Sequence, residues 1–211
     1  IVERRASQAL DGSRAGGLHA RSLEVLDLRG IADRFVQAGT THPAVGYAHN
    51  PLPIGDAPTR HPYVLALWQA EIERLLAERV LQEQAVPIER NVEVVGVVQD
   101  EHSAGVELAD GRVVRGRYLV GCDGGRSVVR KAAGIGFPGW DASTSWMIAE
   151  VEMDQEPRLG FVHDARGTHA IGRRAEGEPY RLVLTEATAD HQGDPTFEDL
   201  RVALHEVYGS D

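Results

Sequence analysis

The most informative stretch of the chain is Gly121-Cys122-Asp123-Gly124-Gly125-Arg126-Ser127-Val128-Val129-Arg130. It overlaps the apolar run over residues 118–122, which predicts a buried strand, and it leads into a predicted helix over residues 126–133. Glycines allow positive φ angles and close backbone approach, so the turn suits a ribose, a pyrophosphate or a nicotinamide. An ordinary strand–turn–helix, in which Asp123 caps the helix and Gly124 turns the chain, fits the spacing equally well.

The runs on either side of this stretch alternate between helical and strand patterns. Apolar spacing predicts helices over residues 20–30, 31–38, 69–84 and 197–208. The helix over residues 69–84 has Ile72, Leu75, Leu76 and Val80 on one face. The helix over residues 197–208 follows a Thr196 N-cap. Apolar runs predict strands over residues 92–99, 105–108, 113–115, 145–153, 160–163, 168–172 and 180–185. Asp110-Gly111 predicts a hairpin turn, and the proline-rich residues 40–62 predict edge strands. This order predicts an α/β protein of mixed α+β type, with a nucleotide-type layer and a second sheet.

The composition excludes several classes of protein. The 211 residues carry a net charge of −10, which argues against binding nucleic acid or an anionic membrane, since both require a basic face. The single cysteine, Cys122, excludes an intrachain disulfide and a thiolate zinc site, and the nine scattered histidines predict no metal site. No apolar run reaches the length of a membrane helix, and residues 1–5 lack the apolar core of a signal peptide, so we expect a cytoplasmic protein.

Three side chains outside the first stretch are weaker candidates for a nucleotide site. Glu3 follows what reads as a strand end, and an acid at such a position binds the ribose in dinucleotide-binding βαβ units. Arg14 precedes two glycines and a helix, so it could reach a phosphate. Gln69 begins a predicted helix. For each of these, a solvated surface position is the commoner role.

Three elements together resemble a known family of flavoproteins. They are Arg14-Ala15-Gly16-Gly17-Leu18-His19-Ala20-Arg21-Ser22-Leu23-Glu24-Val25-Leu26-Asp27, the helix from Gln69, and Cys122-Asp123-Gly124-Gly125-Arg126-Ser127, which continues into Gly136-Phe137-Pro138-Gly139. In this combination the chain resembles the group A FAD-dependent aromatic hydroxylases, which have the p-hydroxybenzoate hydroxylase fold, and most of all their aromatic-polyketide and rifampicin monooxygenase branch. The resemblance implies a partial glutathione-reductase-type FAD-binding layer, residues 1–41 and 66–138, and an antiparallel β-sheet substrate domain, residues 42–65 and 139–211.

The resemblance also implies roles for individual residues. Glu3 would bind the adenosine ribose of FAD, and Arg14 would contact the pyrophosphate or the flavin side of the cofactor. Gln69 would hydrogen-bond the linker of FAD, and the backbone of Val94 would meet the adenine. The Asp-Gly motif at residues 123–124 would help to hold both FAD and the incoming NADPH or NADH.

In this family the chemistry belongs mostly to the cofactor. NADPH or NADH would reduce FAD, and the reduced flavin would take up O2 to form a C4a-hydroperoxide that hydroxylates an aromatic small molecule. Water must be excluded, since otherwise the hydroperoxide decays. No histidine or aspartate stands out as a base, so the catalytic residues are unknown. Trp146, Phe161 and His163 are candidates for a substrate pocket, although packing within the sheet is their commoner role.

The chain departs from the family pattern in two places. The family's glycine-rich N-terminal fingerprint and its later Gly-Asp motif do not occur in these residues, and both bind FAD. We therefore expect a fragment truncated at both ends, which by itself is expected to hold FAD poorly. Two alternatives stay open. The first is another flavoprotein of the same fold, either an antibiotic-inactivating oxidase or a halogenase; a halogenase would need a lysine near the flavin, and Lys131 is poorly placed for that. The second is a flavin-free remnant that acts as a binding module.

Overall fold

The structure is a computed structural model that describes residues 1–9, 15–47, 50–173, 176–186, 189 and 195–209. It divides the chain into two compact units, Ile1–Gly136 and Phe137–Asp211. Both combine helix with antiparallel sheet, which confirms the predicted mixed α/β class. The division falls near the predicted boundary after residue 138 but keeps residues 42–65 in the first unit, and their membership of a substrate domain stays a prediction.

The first unit is built from short helices and small sheets. Its helices are α1 (Ala20–Asp27), α2 (Ala32–Ala38), α3 (Gln69–Glu78) and α4 (Val128–Ala132), and its strands are β1 (Gly17–Leu18), β2 (Thr40–His42), β3 (Ala44–Tyr47), β4 (Asn50–Pro53), β5 (Val64–Ala66), β6 (Val94–Gln99), β7 (Ala104–Leu108) and β8 (Val113–Gly116). The strands pair in the orders β1-β5-β2, β3-β4 and β6-β7-β8. The helix predicted over residues 69–84 is α3 followed by a π-helical turn, Arg79–Glu83.

The core of the first unit lies where α1, α2 and α3 pack against β5 and the residues that follow it. Its buried side chains are Leu23, Ile31, Phe35, Leu65, Leu67 and Leu75. Leu75 is 8% exposed, but Leu76 is 39% exposed, so Leu76 lies at the edge of the predicted apolar face. Successive residues of a helix lie about 100° apart, and a side chain next to the central buried position therefore falls at the margin of the apolar stripe.

Glycines end or turn several elements as the sequence predicts. Gly30 and Gly134 follow α1 and α4 with φ angles of 67°, a left-handed conformation that glycine adopts at low cost. Gly111 has a φ of 85° in the turn between β7 and β8, which confirms the predicted hairpin.

The second unit is one sheet covered on one face by a helix. Its strands are β9 (Trp146–Val151), β10 (Gly160–His163), β11 (Thr168–Gly172) and β12 (Tyr180–Thr185), and its helix is α5 (Phe197–Tyr208). The strand order is β10-β11-β12-β9, antiparallel throughout. Leu204 and its neighbours on α5 pack against Met147, Ile171, Leu182 and Leu184. Thr196 and Asp199 form a reciprocal capping box at the start of α5, which confirms the predicted N-cap.

The buried strand predicted over residues 118–122 is wrong. These residues belong to no strand, and Tyr118 and Val120 are 82% and 79% exposed. An apolar run becomes a strand only where a neighbouring backbone edge can pair with it, and no described strand supplies that edge here.

In the described part of the chain, no helix combines the length and the apolar character that crossing a membrane requires.

Candidate functional site

The Asp-Gly turn caps helix α4 with its own side chains. One oxygen of the Asp123 carboxylate accepts the Ser127 hydroxyl at 2.5 Å, and the other accepts the N–H groups of Val128 and Val129 at 2.7 and 3.2 Å. The Ser127 hydroxyl accepts the N–H of Arg130 at 2.9 Å. The hydrogen bond from Ser127 lowers the pKa of Asp123. The capping interpretation of the turn is therefore confirmed, while its contact with a cofactor stays a prediction.

The backbone of this turn is closed on one side and open on the other. A Cβ atom at Gly121 would lie 2.9 Å from the Cβ and Cγ1 atoms of Val129, so only glycine fits against the helix without displacing it. Gly124 has a φ of 77°, and a Cβ atom there or on Gly125 would meet no described atom within 4 Å. The open side is where a ligand group could approach the backbone closely.

Glu3 follows an isolated parallel β-bridge, at the position where the sequence predicts the end of a strand. Val2 pairs with Glu89, the N–H of Glu3 donates to the Glu89 carbonyl at 2.8 Å, and the carbonyl of Glu3 accepts the N–H of Val92 at 3.1 Å. The Glu3 carboxylate accepts the N–H of Arg5 at 2.8 Å, and the side chain is one-third exposed (33%). A fixed and partly exposed carboxylate can accept hydrogen bonds from ribose hydroxyls.

A polar network connects Glu3 to Gln69 through the side chain of Glu73. The Glu73 carboxylate accepts hydrogen bonds from Arg5 at 2.9 Å, from Gln8 at 3.1 Å and from Gln69 at 2.9 Å. The Nε of Arg5 lies 3.7 Å from the Glu3 carboxylate. We call this set the Glu73 network: Glu3, Arg5, Gln8, Gln69, Glu73 and Arg90, the last bonded to the Gln8 side chain.

Glu73 is ionised within this network. Partial burial raises the pKa of a carboxyl group, but the hydrogen bonds from Arg5 and Gln69 outweigh that effect, and the pKa of Glu73 lies below its ordinary value. Its side chain is 24% exposed. The negative charge therefore persists at neutral pH, where it orients the donors around it.

Val94, which begins strand β6, and Glu3 are each the sequence neighbour of a residue that lines a small cleft. The cleft measures about 250 Å³ and is lined by Arg4, Asn91, Val92, Glu93, Ala109 and Asp110. Of these residues, Arg4 directly follows Glu3, and Glu93 directly precedes Val94. A carboxylate, an arginine and a cleft of this size fit the adenosine end of FAD, so the residues present are compatible with the cofactor.

Arg14 lies outside the described residues, but the next residue, Ala15, is hydrogen-bonded to Gln69. The carbonyl of Ala15 accepts the N–H of Gln69 at 3.2 Å, and β1 pairs with β5. A Cβ atom at Gly17 would lie 2.3 Å from the carbonyl oxygen of Leu65, which requires glycine at this position. The predicted role of Arg14 stays a prediction.

The structure connects some of the predicted residues and not others. Glu3 and Gln69 share the Glu73 network, and Val94 lies two residues from the hydrogen-bond partner of Glu3. The hydrogen bonds that Asp123 makes to described residues all stay within its own turn. Helix α4 packs beside β6, the strand that Val94 begins. A single trough joining Glu3 to Asp123 stays a prediction.

The second unit exposes the sheet face opposite α5. Cross-strand pairing places Phe161, Ala170, Val183 and Ile148 in one row on this face. Phe161, Trp146 and Ile148 are 73%, 55% and 49% exposed. His163 lies on the same face, and its Nδ1 is 2.9 Å from the Thr168 hydroxyl. Trp146 and Phe161 are expected to pack within the sheet as their commoner role. Their exposure in this unit does not agree with that expectation.

Sequence reasoning missed the residues that hold the site together. Arg5, Gln8, Glu73 and Arg90 are charged or polar residues without a motif of their own. One signal was available, since Glu73 follows Gln69 by four residues and therefore lies on the same helix face.

The described residues contain no group of three or more histidine, cysteine, aspartate or glutamate side chains that could hold a metal ion.

Comparison with known proteins places the chain among flavoproteins. A model of the FAD binding domain family matches residues 1–206. Rifampicin monooxygenase of Streptomyces venezuelae is 38% identical over the whole of this chain and 46% of its own length. The chain thus spans about half the length of the curated relatives that it matches.

Solved structures give the same fold. The anhydrotetracycline hydroxylase OxyS from Streptomyces rimosus matches 99% of this chain and 43% of its own chain, with a TM-score of 0.82 and 37% identity. The Diels-Alderase PyrE3 of pyrroindomycin biosynthesis matches 100% of this chain and 46% of its own, with a TM-score of 0.86 and 30% identity.

Proposed function

The chain belongs to the FAD binding domain family, and from this premise we propose that the protein is an FAD-dependent monooxygenase. It uses NADPH or NADH and O2 to hydroxylate an aromatic, polyketide-like small molecule in the cytoplasm. The observation that carries the proposal is the Glu73 network, which connects Gln69 through Glu73 and Arg5 to Glu3, the residue next to Arg4, which lines a cleft of about 250 Å³. The likeness to rifampicin monooxygenase and to the hydroxylase OxyS supports the reaction class.

Each predicted residue has a distinct task in this proposal. Glu3 accepts the ribose hydroxyls of FAD, the backbone at Val94 borders the adenine, and Arg14 meets the pyrophosphate or the flavin side. Gln69 hydrogen-bonds the linker. The open backbone at residues 123–124 approaches FAD and the incoming NADPH or NADH, because no side chain blocks that side of the turn.

FAD, when bound, supplies the redox chemistry, since it accepts a hydride and reacts with O2. The chain binds and orients this cofactor and keeps water from the substrate. For the substrate we propose the second unit, where the exposed row of Phe161, Ala170, Val183 and Ile148 offers a flat apolar surface to aromatic rings. His163 and Thr168 lie along one side of that row and can hydrogen-bond a substrate oxygen.

An absorbance spectrum of the protein expressed from its complete reading frame tests the proposal. We expect an absorption band at about 450 nm that NADPH bleaches and air restores, because a flavin that is reduced by the nicotinamide and reoxidised by O2 cycles in this way. Protein that stays colourless after incubation with FAD would contradict the proposal.

A second candidate is a cyclisation catalyst of the same fold. The likeness to the Diels-Alderase PyrE3 at a TM-score of 0.86 favours it. Cycloaddition transfers no electrons, so such a protein does not need NADPH. Yellow protein that NADPH fails to bleach, with and without an aromatic compound, would favour this candidate over the monooxygenase.

A further inference from the structure

We propose that Glu73 is a positioning residue of the cofactor site, which holds Gln69 directly and Glu3 through Arg5 in the orientations that bind FAD. This inference rests on the proposed function. Glu73 itself does not touch the cofactor in this account. It acts on Gln69 directly and on Glu3 through Arg5. Gln69 and Glu3 are far apart in the sequence, and both are predicted to contact FAD.

The first part of this role concerns the amide of Gln69. An ionised carboxylate only accepts hydrogen bonds, so it selects the nitrogen end of an amide. The Nε2 of Gln69 donates to Glu73 at 2.9 Å, and the carbonyl oxygen is thereby turned away from Glu73. That oxygen is the atom suited to accept a hydroxyl of the FAD linker. A glutamine at position 73 could donate as well as accept, and the amide of Gln69 would no longer have one preferred orientation.

The second part concerns Arg5, which lies between two carboxylates. Its guanidinium donates to Glu73 at 2.9 Å, and its Nε lies 3.7 Å from the Glu3 carboxylate. Its backbone N–H fixes the other oxygen of Glu3 at 2.8 Å. Without the charge on Glu73, Arg5 would turn fully to Glu3 and compete with the ribose hydroxyls for its oxygens.

A third feature keeps the carboxylate of Glu73 in place. Gln8 donates to the same oxygen as Arg5, at 3.1 Å, and Arg90 donates to the Gln8 side chain and to the Ser7 carbonyl. The carboxylate is therefore held from the N-terminal segment, from its own helix and, through Gln8, from the segment at residue 90. A group fixed from several sides is what a positioning role requires.

Titration of the apoprotein with FAD, followed by flavin fluorescence, tests this role in the protein expressed from its complete reading frame. We expect Glu73→Gln to raise the Kd for FAD about tenfold, the size of one well-formed hydrogen bond. Glu78→Gln is the matched control, because Glu78 lies on the same helix and pairs only with Arg74 among the described residues. We expect the control to change the Kd less than about twofold. The melting temperature of each apoprotein reports its folding.

A double-mutant cycle separates positioning from a merely structural contribution. In a Gln69→Leu background, Glu73→Gln should raise the Kd only about threefold, since part of its effect passes through Gln69. Arg5→Gln serves as the second variant if Glu73→Gln does not fold, and it should weaken FAD binding at an unchanged melting temperature. Additive effects, or equal Kd values for wild type and Glu73→Gln, would overturn the role of Glu73 while leaving the proposed function intact. A wild-type protein that binds no FAD overturns both.

Discussion

Two carboxylates of the first unit are saturated with hydrogen bonds, but they obtain their partners in opposite ways. Asp123 is satisfied by residues four to six positions further along the chain. Glu73 is satisfied by Gln69 on its own helix and by Arg5 and Gln8, which are 68 and 65 positions away. The first is a local cap, and the second exists only after the N-terminal segment has packed beside α3.

This difference matters for the predicted cofactor site. The hydrogen bonds of the Asp-Gly turn join residues at most six positions apart, so the turn can form without the rest of the molecule and says little about it. The Glu73 network brings together two predicted FAD contacts, Glu3 and Gln69, which no local rule connects. A long-range arrangement of this kind is the stronger indication of a functional site.

The largest effect should come from removing the packing that places α3. Leu75→Ala deletes a side chain that is 8% exposed, and it should lower the free energy of unfolding by about 2–4 kcal/mol, measured by urea denaturation. Leu76→Ala is the matched control, because Leu76 is 39% exposed and should cost less than about 1 kcal/mol. Equal losses for the two variants would show that α3, and with it Glu73, does not depend on the core.

A smaller effect should come from the local cap. Ser127→Ala removes the hydroxyl that accepts the Arg130 N–H at 2.9 Å, and it should lower the opening free energy of α4 by about 1 kcal/mol. Amide hydrogen exchange at Arg130 measures this as an approximately fivefold faster rate. The control is Ser22→Ala, at an exposed position within α1, which should leave exchange in α4 unchanged. Faster exchange throughout the first unit would mean that the turn is not an independent element.

The smallest effect should be the pH dependence that Glu73 contributes. Its pKa is lowered in the folded protein, so its stabilising contribution is present above the ordinary glutamate pKa and is lost as the pH falls through the folded value. The difference in unfolding free energy between wild type and Glu73→Gln should be below about 1 kcal/mol at pH 7 and should shrink below about pH 4.3. A difference that stays constant down to about pH 3 would show that charge is not what Glu73 supplies.

The sequence was sufficient for the elements whose causes are local. The strands of the second unit and helix α5 lie where alternation, spacing and the Thr196 cap predict them. The Asp110-Gly111 pair predicts the hairpin between β7 and β8, because glycine readily adopts the positive φ that the turn requires. The strand predicted over residues 118–122 failed for a non-local reason, because an apolar run does not carry the partner edge that it needs.

The candidate site divides in the same manner. The chain by itself predicted that a helix starts after the Asp-Gly turn, that Glu3 ends an extended segment and that Gln69 begins a helix, since each depends on a few neighbouring residues. Capping by Asp123 was one of two interpretations that the sequence left open, and the structure confirmed it. Only the tertiary structure decided that Arg5 reaches Glu73 and that Glu3 and Gln69 thereby share one network. The reason is physical: hydrogen bonds between distant segments form only after the apolar core has brought those segments together, and no spacing in the sequence records that approach.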